Sequence, residues 1–231
     1  MLTSMPPIER HPITGEMILR LRKHPNLILT PPRESDVPKL AEYLSDPRIS
    51  SFLASPPIPY RIEHAQAWLA RAISERGAVV EEIESKGSGP FTGCPFQFIR
   101  QLKGDGSDEM IGAIHLVPWP KGRVPDVDDL RESGSSVTEV IWTIGNWLTP
   151  ALHGQGIMTN AVETILHDWG VPWMDVRKVI VGAFIENPAS VKVFEKNGFK
   201  TWSIVENALE VRGEMKGLHT LLWTRNELSC S

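Results

Sequence analysis

Several things are scarce in this 231-residue sequence, and each scarcity removes a class of protein. Two cysteines, Cys94 and Cys230, are too few for a disulfide framework, and no Cys/His spacing suits a metal. No apolar run approaches the roughly 18 residues of a membrane span. Where a secretory leader would be apolar, the N-terminal segment carries Pro6, Pro7, Glu9 and Arg10. A basic excess is missing too: 24 Lys and Arg face 28 Asp and Glu, a formal net charge of -4, which argues against a nucleic-acid partner. The expectation is a cytoplasmic protein with no metal, no membrane and no nucleic acid. With 41% apolar and 23% charged residues it can bury an ordinary globular core.

Hydropathy patterning and breakers divide the chain. Residues 1–15 are Pro-rich and aperiodic, and residues 1–25 as a whole are expected to form a loosely packed arm ahead of a single domain over 26–231. The stretch around Leu27 predicts a strand, and Ser35 or Asp36 caps a helix with Leu40, Ala41 and Leu44 on one face. A second helix places Ala65, Trp68, Leu69, Ala72 and Ile73 inward and stops at Gly77. Strands follow in "PFQFIRQL", "MIGAIHLVPW" and "TEVIWTIGNWL", the last two separated by residues 120–136, too polar to pack and expected to be a mobile surface loop. After a helix carrying Ile157, Ala161, Val162, Ile165, Leu166 and Trp169, "KVIVGAFI" reads as a strand buried on both faces. A helix over about 188–197 and two antiparallel strands close the chain. The order βααβββαβαββ predicts one mixed α/β domain.

Two short stretches carry chemistry. "LTPALHGQGIMTNAV" (148–162) ends a strand, turns through Gly154 and Gly156, and enters a helix. Such a turn leaves several N–H groups without partners, pointing one way, and attracts an anion. It matches neither the phosphate loop of NTPases nor the three-glycine dinucleotide fingerprint, and by itself it is also explained by two turn glycines. "ENPASVKVFEKNGF" (186–199) reads on its own as a well-capped helix: Asn187 caps it, Pro188 takes the first position, and Asn197 and Gly198 end it.

Together the two stretches resemble the acyl-CoA-binding core of the GNAT superfamily of N-acyltransferases. "LTPPRESDVPKLAEYLSDPRI", "IGAIHL" and "IGNWLTPALHGQGIMTNAV" further resemble, in order, the branch that includes the ribosomal-protein N-terminal acetyltransferases. The resemblance spans about residues 26–225. It implies a central, mostly antiparallel twisted sheet with two splayed parallel strands and flanking helices. It also implies acetyl-CoA as acyl donor, with CoA as product. Carried over, Trp147, Leu148 and Thr149 face the pantetheine and acetyl group, and His153, Gly154, Gln155, Gly156, Ile157 and Met158 cradle the pyrophosphate. Asn187 contacts the pantetheine, with Ser190 and Phe194 near the sulfur. Two positions depart from the family: Ala151 replaces the usual Arg or Gln three positions before the first glycine, and Phe194 stands where many members carry a proton-donating Tyr.

Acetyl transfer to an amine needs a base, because an alkylamine with a pKa near ~10 is mostly protonated at neutral pH. Glu139, on the strand before the glycine turn, and His115, on the neighbouring strand, are the candidates, with water as the other possibility. Ser190 or water would protonate the leaving thiolate, and backbone N–H near Leu148 would polarise the acetyl carbonyl. Cys94 has no evident base, so a covalent acyl-enzyme is not expected. Trp119, Trp142 and Trp147 are candidates for the acceptor cleft, against a plain role in the core. The expected function is N-acetylation of a primary amine, on a small molecule or a peptide N-terminus, by a monomer or homodimer. The alternatives are a GNAT-fold module that binds acyl-CoA without turnover and, further off, a phosphate-ligand protein unrelated to CoA.

Overall fold

The apolar run around Leu27 does form a strand, but it is the third and not the first. In the computed structural model, which describes residues 6–120 and 140–225, β1 (Glu9–Arg10), β2 (Met17–Leu21) and β3 (His24–Thr30) pair antiparallel. Met17, Ile18, Leu19 and Leu21 are each at most 2% exposed, so the loosely packed arm expected over residues 1–25 is corrected at its C-terminal half. The apolar side chains of "MILRL" are buried, while Arg20 turns aside to pair with Glu9 at 2.7 Å. Leu19 lies opposite Leu29 in the ladder.

The chain then makes one 3-10 turn (Glu34–Asp36) and enters α1 (Val37–Ser45), α2 (Pro47–Ser50) and α3 (Ile62–Lys86). Asp36 explains the entry, since its carboxylate accepts from the Arg33 N–H at 2.8 Å. Along α3, Ala65, Leu69, Ala72, Arg76, Val79 and Ile83 recur every three or four residues and are the buried stripe. Gly77 does not end this helix, a second correction: the stripe continues past it, and a helix-interior glycine costs only about 1 kcal/mol relative to alanine. The stop is Gly87, left-handed at φ 66°, whose N–H donates to the Ile83 carbonyl at 3.0 Å.

The remaining elements are β4 (Phe98–Leu102), β5 (Asp108–Pro118), β6 (Ile141–Leu148), α4 (Ile157–Thr164), a π-helical turn (Ile165–Gly170), α5 (Val171–Met174), β7 (Lys178–Phe184), α6 (Pro188–Glu195), β8 (Lys200–Val211) and β9 (Glu214–Thr224). The strand order is β1-β2-β3-β4-β5-β6-β7-β9-β8. The described ladders are antiparallel except β6 with β7, which is parallel through Ile141 opposite Lys178 and Trp142 opposite Val179. This is the mixed α/β fold implied by the resemblance, a mostly antiparallel sheet with one parallel pair and flanking helices.

The chain divides into two compact units, residues 1–115 with 145–175 and residues 116–144 with 176–231. In the first, Leu40, Leu44, Ile49, Tyr60, Leu69, Phe98 and Met110 form a core, and Trp169 on the π turn is fully buried between Phe91 and Phe96. The first unit also holds a buried charge network. Arg100 meets Asp36 at 2.6 Å and Asp108 at 3.3 Å and donates to Thr30, while Arg33 and His11 also reach Asp108. Burial pushes the Asp108 pKa up, but the Arg33 hydrogen bond and the charges of Arg100, Arg33 and His11 outweigh it and hold the carboxyl below its usual range. The second unit packs Trp119, Ile141 and Ile180 together and pairs β7 with β9 over seven residues, Lys178–Phe184. Glu139, the loop segment 121–136 and Cys230 lie outside the described residues.

Candidate active site

Strand β6 ends at Leu148, and the exit from it is fixed by hydrogen bonds. The Thr149 N–H donates to the Ile111 carbonyl at 2.8 Å, and a single turn follows, with Leu152 N–H to Thr149 at 3.0 Å and His153 N–H to Pro150 at 3.2 Å. The His153 ring closes the turn by donating from Nε2 to the Leu148 carbonyl at 2.9 Å. Gly154 and Gly156 then adopt φ of 76° and 75°, the left-handed region that an L side chain enters only at a cost. These two inversions turn the peptide planes into the start of α4. Among the described residues, the amides of Gly154, Gln155, Gly156, Ile157 and Met158 have no protein acceptor. The loop is exposed from His153 to Gly156, while the side chains of Ile157 and Met158 are buried, so those two offer only their backbone. Ala151 brings no polar group to the loop; its carbonyl accepts from Gln155 at 3.4 Å.

Of the three tryptophans expected at an acceptor cleft, two are corrected. Trp119 and Trp142 are each 7% exposed, and Trp119 packs on Ile141 and Ile180, so both rings are spent on the core. Trp147 stays half-buried, packs against the Leu40–Met110 core, and meets the Tyr43 ring at 5.4 Å between centroids. Tyr43 went unnoticed in the sequence, and its hydroxyl donates to the Met110 carbonyl at 3.1 Å.

His115 was expected as a possible base, and its surroundings revise that. The Gln97 amide is oriented by two partners: Oε1 accepts from Arg76 Nε at 3.4 Å, and Nε2 donates to His115 Nδ1 at 3.2 Å. An amide nitrogen can only donate, so Nδ1 is the acceptor and the neutral ring carries its proton on Nε2. That nitrogen faces Gly145 on β6, where an added Cβ would lie 2.3 Å from it. The ring keeps partial exposure, yet the protein packed round it, and then the Arg76 charge, push its pKa down to about 4. A ring with one nitrogen engaged and the other protonated cannot take a proton from an ammonium group.

Helix α6, in the second unit, is capped from within. Asn187 Oδ1 accepts from the Ser190 N–H at 3.1 Å, and Ser190 itself is half-buried. Phe194 is 1% exposed and packs edge-on to Phe199 at 5.2 Å, which makes it a core side chain with no face for a ligand. Its departure from the usual Tyr is thereby a substitution inside the core.

Arg76 and Gln97 were also missed. The signal for Arg76 was available, because position 76 continues the inward stripe of Leu69 and Ala72 four residues on, where a charge is out of place. Among the described residues, no group of His, Cys, Asp and Glu side chains could hold a metal, and no helix is long and apolar enough to cross a membrane.

A strand leading through an inverted, amide-rich turn into a helix, in a mostly antiparallel sheet with one parallel pair, defines a class of acyl-group transferases. The chain matches the family model of the GNAT acetyltransferase domain over residues 26–200 and belongs to that family; it is an acetyltransferase, and the family's acetyl donor is acetyl-CoA. A search of curated proteins finds no match. Among solved structures, it is similar to a GNAT-family acetyltransferase from Bacillus anthracis, at 14% identity and TM-score 0.62 over 90% of this chain and 98% of that one. It is similar to Mycobacterium smegmatis RimJ in complex with CoA-disulfide, at 20% identity and TM-score 0.60 over 93% and 88%. A third is the ribosomal-protein-S5-alanine acetyltransferase from Vibrio fischeri, at 15% identity and TM-score 0.57 over 87% and 94%. At these identities the likeness speaks for the fold.

Proposed function

We propose that this acetyltransferase moves an acetyl group from acetyl-CoA to a primary amine, carried by a small molecule or a peptide N-terminus. The observation that carries the reading is the run of five amides, Gly154 to Met158, without acceptors among the described residues at the start of α4. A diphosphate fits them in charge, and the missing Cβ atoms allow close approach: nothing in the protein lies within 4 Å of the Cβ position at either glycine. M. smegmatis RimJ, which is similar in fold, has been solved in complex with CoA-disulfide, in keeping with CoA as the ligand.

Acetyl-CoA supplies a thioester whose carbonyl is open to attack by an amine. The chain's own residues do the rest. The amides of Gly154–Met158 hold the diphosphate, with His153 and Gln155 at the rim. Trp147, Leu148 and Thr149 align the pantetheine along the end of β6, and a backbone N–H near Leu148 polarises the carbonyl. Asn187, whose Oδ1 is engaged by Ser190, keeps its Nδ2 to donate to the pantetheine. The Ser190 hydroxyl or a water relays a proton to the departing sulfur and is itself reprotonated by the proton that the amine releases. With His115 Nε2 protonated, Glu139 is the side chain left to receive the amine proton, and holding both partners together supplies much of the acceleration.

The test is calorimetric titration with CoA followed by a thiol-release assay with acetyl-CoA over a panel of small amines and peptides with free N-termini. Binding together with release on at least one amine is the expected result. Absence of CoA binding would overturn the reading, and binding without release on any amine would overturn the acceptor class. Glu139→Gln is expected to lower kcat and remove the acidic limb of the pH–rate profile; an unchanged profile would exclude Glu139.

A further inference from the structure

Two arginines lie deep in the first unit, and among the described residues only one of them has a counter-charge. Arg100 is met by two carboxylates. Arg76, on the inward stripe of α3, is 9% exposed, and among the described residues its hydrogen-bond partner is a neutral one, Gln97, at 3.4 Å. A buried guanidinium presents five N–H donors and a full charge, and leaving these without an anion is costly. Arg76 lines a cavity of about 210 Å³ between α3 and the segments around β1–β2 and Pro31–Pro32.

The walls state what would fit. Met17, Pro31, Pro32, Ile73, Gly77 and Val80 give an apolar surround. Two carboxylates also reach the cavity, but each is already matched: Glu16 pairs with Arg33, and Glu84 with Arg10 at 3.3 Å. Their presence disfavours a ligand with more than one negative charge, and the apolar walls disfavour phosphate, which keeps its hydration. An engineered apolar cavity of about 150 Å³ takes up benzene, so this volume suits an acid of similar size.

We propose that this cavity is a binding site for a small monocarboxylic acid with an apolar body, its carboxylate paired with the guanidinium of Arg76. The site does not depend on the CoA reading. Through Gln97 it is also one end of a hydrogen-bond chain that finishes at His115, against Gly145 of β6.

Benzoate is the probe, with benzamide as its uncharged isostere and inorganic phosphate as the hydrophilic anion. Methyl resonances of Met17, Ile73 and Val80 in the full-length protein report occupancy. Benzoate is expected to shift all three saturably and to bind at least tenfold more tightly than benzamide, while phosphate leaves them unmoved. Arg76→Gln should erase the preference for benzoate, and Arg76→Lys should restore part of it. Gly77→Leu, which keeps the arginine, favours the helix and fills the cavity, should abolish binding of both aromatic probes. The proposal is overturned if benzoate causes no shift at millimolar concentration, if Arg76→Gln binds it as well as the parent, or if phosphate competes equally. Where Arg76→Gln does not fold, Gly77→Leu decides: retained benzoate binding in that variant overturns the site.

Discussion

Helices α4 and α6 begin in opposite ways. At α6 the chain closes its own helix start: Asn187 accepts from the Ser190 N–H, and Pro188 removes a donor at the first position. At α4 no side chain among the described residues closes it: Gly156 is the cap residue, has no side chain, sits at φ 75°, and leaves the first amides without an acceptor. Both sequences look like helix entries, and one is finished by its own residues while the other is not. The difference teaches that a residue with no side chain, where a cap is expected, is a stronger sign of function than a well-made cap.

The largest expected effect comes from closing the open start with the wrong charge. Gly156→Asp places a carboxylate where the diphosphate is to sit, and CoA affinity should fall roughly a thousandfold by titration, about 4 kcal/mol. No protein atom lies within 4 Å of a Cβ there, so the fold is expected to survive with only the cost of the left-handed backbone. Asn tolerates that backbone without bringing a charge, so Gly156→Asn should bind CoA better than Gly156→Asp; equal loss would mean that shape and not charge decides.

Next in size is acid stability, which separates His115 from the ligand-binding loop. Its pKa falls from 6.5 to about 4 on folding, so below 6.5 the unfolded chain binds the proton first. The stabilisation is complete above pH 6.5, declines as the pH drops to about 4, and is constant below that. The loss amounts to at most about 3 kcal/mol. Urea unfolding at pH 7.5 and pH 4.5 should show it, and His115→Gln should lack that part of the decline. A parent protein as pH-sensitive as the variant would return His115 to the list of bases.

Smaller effects belong to the closed start. Asn187→Ala should cost about 1 kcal/mol of stability, since the Ser190 amide loses its acceptor. Asn187→Asp keeps the acceptor and should leave stability within a few tenths of a kcal/mol of the parent. Because it lacks the Nδ2 donor, it should nevertheless weaken CoA binding severalfold. Unchanged affinity in Asn187→Asp would reduce Asn187 to a cap.

Much of this was legible in the sequence because it rests on local rules. The glycine turn, the Asn187–Pro188 cap and the continuous apolar run of β7 announce themselves within a few residues. What could not be read arises from partners far apart in the chain. The low pKa of His115 comes from the protein packed round it and then from Arg76, 39 positions earlier, while Gln97 between them holds Nδ1. The burial of "MILRL" needs β3 beside it, and without that neighbour five residues between Pro-rich segments look like a tail. Gly77 misled because breaker rules are local, whereas Val79 and Ile83 keep α3 packed beyond it. Trp119 and Trp142 show the same limit, since a tryptophan on a strand or just past its end does not say which of its faces is covered.

The most direct test of the account is the amide spectrum of Gly154 to Met158 during titration with CoA and, separately, with pantetheine, which lacks the diphosphate. Downfield shifts of these five N–H protons with CoA and not with pantetheine are predicted. Saturable CoA binding that leaves the five amides unmoved, or equal shifts with pantetheine, would contradict it.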